Sequence, residues 1–230
     1  MPELLIGDFH CGTKSATVAF DEAGDEVVSI DINPVFFPTI CKDIRQVKAA
    51  ELFEQYGRFD FIWNSPDCSV FCVPNFHSAH FRLPDPTPLT WKAKQMIQVV
   101  EYTKQLMIDL NPRIGWVIEN PRGLLHKLPV LAGIPRVNIT YCSYADTRMK
   151  PTMLWGRFPP SWLPREPCFN ENPLCDHERA PAGSHSTGTN ALPWEQRIQV
   201  PRELSESFRK ACIGYDHPST WKTLERWSNG

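Results

Sequence analysis

The apolar run Phe59-Asp60-Phe61-Ile62-Trp63 stops abruptly at Asn64-Ser65-Pro66-Asp67-Cys68-Ser69-Val70-Phe71, and this junction constrains the chain more than any other. A short apolar run that ends at Asn-Ser-Pro reads as a buried strand closed by a sharp turn. Open α/β folds gather their ligands at the carboxyl edge of the strands, so this turn holds the Cys68 thiol where chemistry is done. A thiolate in that place is a strong nucleophile. A free cysteine is also a small apolar residue suited to a core, and this segment alone leaves both readings open.

The strand pattern recurs along the chain. Residues 4–8, 27–31, 115–119 and 137–141 also read as strands, and residues 14–23, 46–56 and 90–110 as helices, with Gly24 stopping the first. Residues 201–212 open with Pro201 and continue as an amphipathic helix. Strands that alternate with helices imply a largely parallel sheet covered on both faces, an α/β fold. Residues 73–89 are proline-rich and read as a long loop directly after Cys68, and residues 156–200 as an irregular insert rich in Pro, Gly, Asn and Ser. The expected organisation is therefore a core over 1–155, an insert over 156–200 and a carboxyl-terminal helix over 201–230 that completes the core.

A chain of 230 residues is long enough to bury a full core. No apolar run approaches membrane-spanning length, and Met1-Pro2-Glu3 lacks the basic head of a signal peptide, so no membrane partner and a cytoplasmic location are expected. Eight scattered cysteines in such a chain read as reduced thiols. Net charge is −2, but its distribution is uneven. Residues 1–112 carry nine Lys and Arg against fifteen Asp and Glu, whereas residues 113–165 carry eight against two. That basic block is Arg113, Arg122, Lys127, Arg136, Arg148, Lys150, Arg157 and Arg165. It fits either a face that meets phosphates or an ordinary solvated surface.

The turn Asp8-Phe9-His10-Cys11-Gly12-Thr13-Lys14-Ser15 joins a strand to a helix, the place where nucleotide-like cofactors dock. A Gly-x-Gly-x-x-Gly pattern is absent, which disfavours a pyrophosphate cofactor. Asp31 ends the second strand, where a carboxylate accepts hydrogen bonds from ribose hydroxyls, and Asp43 lies at a further edge. Asp8, Asp31 and Asp43 also suit helix caps. Glu119 ends a buried strand at the same edge, where a carboxyl group can hold a proton for general acid work. In the insert, Cys168, Cys175 and His177, with His185 as a fourth candidate, could bind a structural zinc ion.

Taken in order, these segments resemble the DNA cytosine-5 methyltransferase family. Residues 8–13 are similar to its first motif, Asp-Leu-Phe-Cys-Gly-x-Gly, and Ser65-Pro66-Asp67-Cys68-Ser69-Val70-Phe71 to its Pro-Pro-Cys-x-x-Phe-Ser nucleophile motif. Glu119-Asn120-Pro121 resembles its Glu-Asn-Val, and Arg148 its next arginine contact. Residues 141–156, with Lys150-Pro151-Thr152 and Trp155, are similar to a compact phage-borne branch, and Val200-Pro201-Arg202-Glu203-Leu204 to the late Thr-Pro-Arg-Glu segment.

The resemblance implies a Rossmann-like sheet that uses S-adenosylmethionine, a DNA substrate with its target cytosine flipped out, and a bacterial or phage-infected host cell. It also implies catalytic roles for Cys68, Glu119 and Arg148. Cofactor contacts are implied for Asp8, Phe9, Cys11, Gly12, Thr13, Lys14, Asp31, Ile32, Asp43, Ile44 and Ser65. The chain departs from the family at Lys14, which replaces the second glycine, at Asp67, Cys72 and Pro121, and in lacking the closing Gly-Asn-x-Val motif. Lys14 raises a variant reading, in which its ammonium pairs with a carboxylated S-adenosylmethionine. Two further alternatives are an amino-group methyltransferase, because Asn64-Ser65-Pro66 also resembles Asn-Pro-Pro-aromatic, and a non-catalytic DNA-binding relic.

Overall fold

Strands that are apolar at every position have no solvent-facing side, and the computed structural model shows how they are covered. It describes residues 3–72, 80–84, 86–168, 173–178 and 192–216. In chain order the elements are β1 (Leu5–Phe9), α1 (Val18–Asp21), β2 (Glu26–Asp31), β3 (Ile40–Cys41), α2 (Ala49–Tyr56) and β4 (Phe61–Asn64). They continue with β5 (Phe81–Arg82), β6 (Thr87–Pro88), α3 (Trp91–Leu110), β7 (Gly115–Pro121), β8 (Arg136–Thr140), β9 (Pro151–Arg157), α4 (Trp194–Arg197) and α5 (Arg202–Ile213).

Seven strands form one Rossmann-like sheet in the order β3-β2-β1-β4-β7-β9-β8. Strands β3, β2, β1, β4 and β7 are parallel, and β9 runs antiparallel between β7 and β8. Side chains alternate between two cores, as the two-residue period of a strand requires. Ile62, Trp116 and Ile118 face a core completed by Leu52 of α2 and Val100, Leu106 and Met107 of α3. Phe61, Trp63 and Val117 face the other, completed by Phe20 of α1 and Leu204 and Phe208 of α5. Trp63 and Trp162 both lie against Phe208, the latter pair stacked at 4.3 Å. No helix among the described residues is long and apolar enough to cross a membrane.

The strand order reverses between β1 and β4, and ligands of such sheets bind at the carboxyl ends beside that reversal. Helix α3 starts at Thr90, whose Oγ1 accepts from the Ala93 amide, and ends at Asn111 in the left-handed conformation. Helix α5 is fixed beneath the first turn: the Val200 amide donates to Ser15 Oγ, the Ala19 amide to Ser205 Oγ, and Arg209 pairs with Asp25.

Three expectations need correction. The helix expected over 14–23 is α-helical only over Val18–Asp21, because Lys14 sits at φ 59° and residues 11–17 wind as successive turns. The loop expected over 73–89 contains, in its described part, the β5–β6 hairpin. No strand is expected over 151–157, yet β9 occupies it. Pro151 at its first position and Gly156 near its end mask the strand pattern.

Gly156 is required where it stands. It has φ +150°, and a Cβ there would lie 2.0 Å from the Trp116 carbonyl oxygen. Gly156→Ala is expected to cost about 1–3 kcal/mol through overpacking and to lower the melting temperature by on the order of 5 °C. Gly24→Ala has open space around the new Cβ and carries only the backbone penalty, about 1 kcal/mol. Thermal unfolding of the two variants checks this; equal losses would mean that the contact with Trp116 carries nothing.

Candidate active site

Polar side chains are costly within strands covered on both faces, so most of them collect toward the carboxyl ends. Strand β1 ends beside β2 on one flank and β4 on the other, and β4 pairs in turn with β7. Asp31 closes β2, Cys68 lies in the loop after β4, and Glu119 lies two residues short of the end of β7, with β1 and its turn between the first two.

The loop that carries Cys68 is bolted to the end of β7. Asn120 Nδ2 donates to the Pro66 carbonyl at 3.0 Å, and the Leu124 amide donates to Phe71. Cys72 bridges to Gly123, where a Cβ would lie 2.1 Å from the Phe71 carbonyl oxygen. Asp67, where the resembled family has proline, caps the turn instead. Its carboxylate accepts from the Ser69 amide and hydroxyl, both at 2.8 Å.

Glu119 is buried, and Oε1 accepts the Tyr141 hydroxyl at 3.0 Å. Burial first, and then the Glu119 charge, hold the Tyr141 phenol well above its usual range. Burial, and after it the charge on Glu119, push the Cys68 thiol up to about 12, while Lys150 pulls in the opposite direction. Cys68 therefore rests as a thiol. Lys150 Nζ lies 4.4 Å from the Tyr141 ring centroid and donates to the Arg197 carbonyl; burial lowers its affinity for its proton.

On the other flank, the Gly12 amide donates to Asp31 Oδ2 at 3.0 Å and the Asn33 amide to Asp31 Oδ1 at 2.8 Å. Each oxygen keeps a lone pair for a ligand hydroxyl. Ile32 follows and is 65% exposed. Phe9, Cys11 and Ile44 are buried. Thr13 bonds Ser15, and Ser65 accepts from Trp63 Nε1. Asp43 caps the turn over Ile44–Gln46 and chelates Arg45, the capping role that carboxylates at such edges also suit. Lys14 Nζ donates to the Phe37 carbonyl at 2.7 Å.

Arg148 is spent inside the protein. Its guanidinium pairs with Asp146 and donates to the Gln196 and Gln199 carbonyls, which ties α4 to the β8–β9 connection. Much of the basic block is spent likewise: Arg113 pairs with Asp60, Arg165 with Glu203, and Arg157 donates to Asn111 and Pro112. Arg122, Lys127 and Arg136 remain, and no ion pair among the described residues engages them. All three charges act on His126, which burial and these cations hold below its usual range.

The residues brought together include several with no assigned role in the sequence reading: His10, Asn64, Asn120 and Tyr141. His10 Nδ1 donates to Asn64 Oδ1 at 2.7 Å, and burial keeps the ring neutral. Their signal was position, since each stands at or just past a strand end. Asn64 Nδ2, Asn120 Oδ1 and Asp8 Oδ1 are buried without a partner at this same edge. Of the expected metal ligands, Cys168, Cys175 and His177 meet, and Cys142 joins them; His185 lies outside the described residues.

Burial pushes the Asp8 carboxyl up to about 7, against the hydrogen bond from Thr17. An unfolded chain loses this proton near 3.8, so the folded state alone holds it between about 4 and about 7. The Asp8 contribution to stability accordingly falls as pH rises through that window. Denaturant titrations of wild type and Asp8→Asn at pH 4, 5.5 and 7 should show the variant gaining on wild type as pH rises, with a constant difference as the contrary result.

No family model matches the sequence, and no curated protein matches it. Among solved structures, one described as a DNA modification methyltransferase encoded within a prophage (E. coli) gives a TM-score of 0.48 at 13% identity, covering 67% of this chain and 46% of that one. The S. pombe Dnmt2 methyltransferase gives 0.43 at 16% identity, covering 68% of this chain and 50% of that one. The Entamoeba histolytica methyltransferase EhMeth gives 0.42 at 10% identity, covering 79% and 58%. The chain spans about half the length of these proteins.

Proposed function

We propose that this chain is a DNA cytosine-5 methyltransferase that uses S-adenosylmethionine and attacks its base through a covalent Cys68 adduct. The observation that carries the reading is a buried carboxyl group near the carboxyl end of β7 that acts electrostatically on a thiol in the loop after the neighbouring parallel strand β4, beside a turn suited to a nucleoside. Asp31 would take the ribose hydroxyls, Ile32 the purine face, and the unpartnered Asp8 and Asn64 atoms the polar end of the cofactor. When bound, S-adenosylmethionine supplies an electrophilic methyl group.

The protein's own part is to make carbon 5 of cytosine nucleophilic. The base must leave the stack to reach Cys68, because neither face of a paired cytosine is open to a thiol. Cys68 Sγ bonds to carbon 6 as its proton passes to the Glu119 carboxylate. Glu119 meets ring nitrogen 3 and the amino group and hands that proton to nitrogen 3, which offsets the negative charge that addition brings into the ring. Tyr141 fixes the Glu119 carboxyl group through its hydroxyl. Loss of the carbon 5 proton, and then of the thiol, restores the aromatic ring.

Asp67 bears on the amino-group alternative. That chemistry stacks the base on an aromatic ring at this point of the loop, and Asp67 is engaged as a turn cap. The carboxylated cofactor gains no support either, since the Lys14 ammonium already donates to Phe37.

Duplexes that carry 5-fluorocytosine should trap the wild type with S-adenosylmethionine in a complex that survives denaturant. Cys68→Ser should abolish both trapping and product, while Cys72→Ser keeps the trap. Turnover by Cys68→Ser would overturn the assignment. Glu119→Gln should slow methyl transfer by roughly 10²–10⁴-fold.

For the nucleic acid itself, the cations to test are those not spent internally. Lys127→Ala and Arg136→Ala should each weaken binding and reduce the salt slope by about one unit. Arg148→Ala should act instead through stability, because it leaves the part-buried Asp146 without its ion-pair partner. Binding isotherms at several salt concentrations separate the two, and an unchanged slope in Lys127→Ala and Arg136→Ala would remove this face from consideration.

A further inference from the structure

We propose that Cys142, Cys168, Cys175 and His177 bind one zinc ion as a closed structural site, and that this ion staples the insert to the turn that carries Tyr141. The four ligand atoms lie within 4.8 Å of one another. His177 Nδ1 is 3.0 Å from Cys175 Sγ and 3.7 Å from Cys168 Sγ. Ligands of a tetrahedral zinc site stand ~3.5–3.8 Å apart, given zinc–sulfur bonds of about 2.3 Å and zinc–nitrogen bonds of about 2.0 Å. The observed cluster is thus within about 1 Å of a coordination shell.

The donor set selects the metal. Three sulfurs and one imidazole nitrogen are soft or borderline donors, with no carboxylate to favour magnesium or calcium. Four protein ligands leave no open position, so the site is structural and supplies no bound water for chemistry. Cys168 and His177 are buried, and none of the eight cysteines is in a disulfide.

The backbone already holds these groups together by independent contacts. The Cys168 amide donates to Thr140 Oγ1 at 2.8 Å, the Arg165 amide to the Tyr144 hydroxyl at 3.0 Å, and the Glu178 amide to the Thr147 carbonyl at 2.8 Å. Residues 158–168 and 173–178 contain no helix or strand, so they bury little backbone in regular hydrogen bonds and gain most from a metal cross-link. The cross-link is also well placed. Cys142 follows Tyr141 directly, and the Tyr141 hydroxyl holds Glu119. Cys142 lies 26 residues before Cys168 in sequence, which is why spacing within the insert does not reveal it.

Elemental analysis of protein prepared without chelators should give about one zinc per chain. Replacement by cobalt(II) should give the intense visible d–d bands of a tetrahedral ion with a sulfur charge-transfer band. Cys142→Ser should lower zinc retention at least tenfold against a competing chelator, with His185→Ala unchanged. In wild type, Cys142, Cys168 and Cys175 should resist alkylation until the metal is stripped, which holds even if Cys142→Ser fails to fold. Metal-free wild type, a disulfide within the cluster, or full retention by a folded Cys142→Ser would each overturn the proposal. None of these readouts depends on methyl transfer, so the outcome is separate from that of the cytosine-trapping experiment.

Discussion

Burial of the central strands on both faces is the constraint on which the rest depends. With α1 and α5 on one side of the sheet and α2 and α3 on the other, β1, β4 and β7 have no wet face. Polar groups that the protein needs must then appear where the strands run out. Asp31, Cys68 and Glu119 do so, and Asn64, Asn120 and Asp8 bring buried polar atoms without partners to the same edge. Such atoms cost stability unless something satisfies them.

The Cys68 loop shows how position becomes chemistry. A loop after a strand has many conformations open to it, and the nucleophile proposed here for Cys68 would have to be held closely. Here Asn120 binds Pro66 and Gly123 admits the Phe71 backbone, so the residues flanking Cys68 are fixed to the strand that presents Glu119. The same proximity raises the thiol through the Glu119 charge. A thiol that stays protonated until a base arrives is also protected from idle reaction, since the thiolate is the reactive form.

The distribution of charge needed the structure to interpret it. Eight cations in residues 113–165 fit either a face that meets phosphates or a solvated surface, but Arg113, Arg148, Arg157 and Arg165 are tied to carboxylates or carbonyls, and Lys150 to the Arg197 carbonyl. Those contacts fasten segments distant in sequence, as Arg148 does for α4. Arg122, Lys127 and Arg136 are exposed, and all three act on His126. A charge count along the sequence records the side chains and not their partners.

The sequence by itself determined where the strands end. An apolar run and the turn that stops it are local properties, so Glu26–Asp31, Phe61–Asn64 and Gly115–Pro121, with Asp31 and Glu119 near their carboxyl ends and Cys68 in the loop that follows, were legible in the chain itself. Its blind spots were equally local in origin: Pro151 and Gly156 hid β9, and the left-handed Lys14 shortened α1. Only the tertiary structure decided which distant groups meet. The closure of the sheet by an antiparallel β9, the hydroxyl of Tyr141 on Glu119, the capture of Arg148 by α4 and the arrival of Cys142 beside Cys168 all join separated segments. The periodicity of a chain encodes which residues leave water, because burial depends on each side chain's own transfer energy. Which residues then touch depends on how the buried faces stack, and that is a property of the whole packed chain.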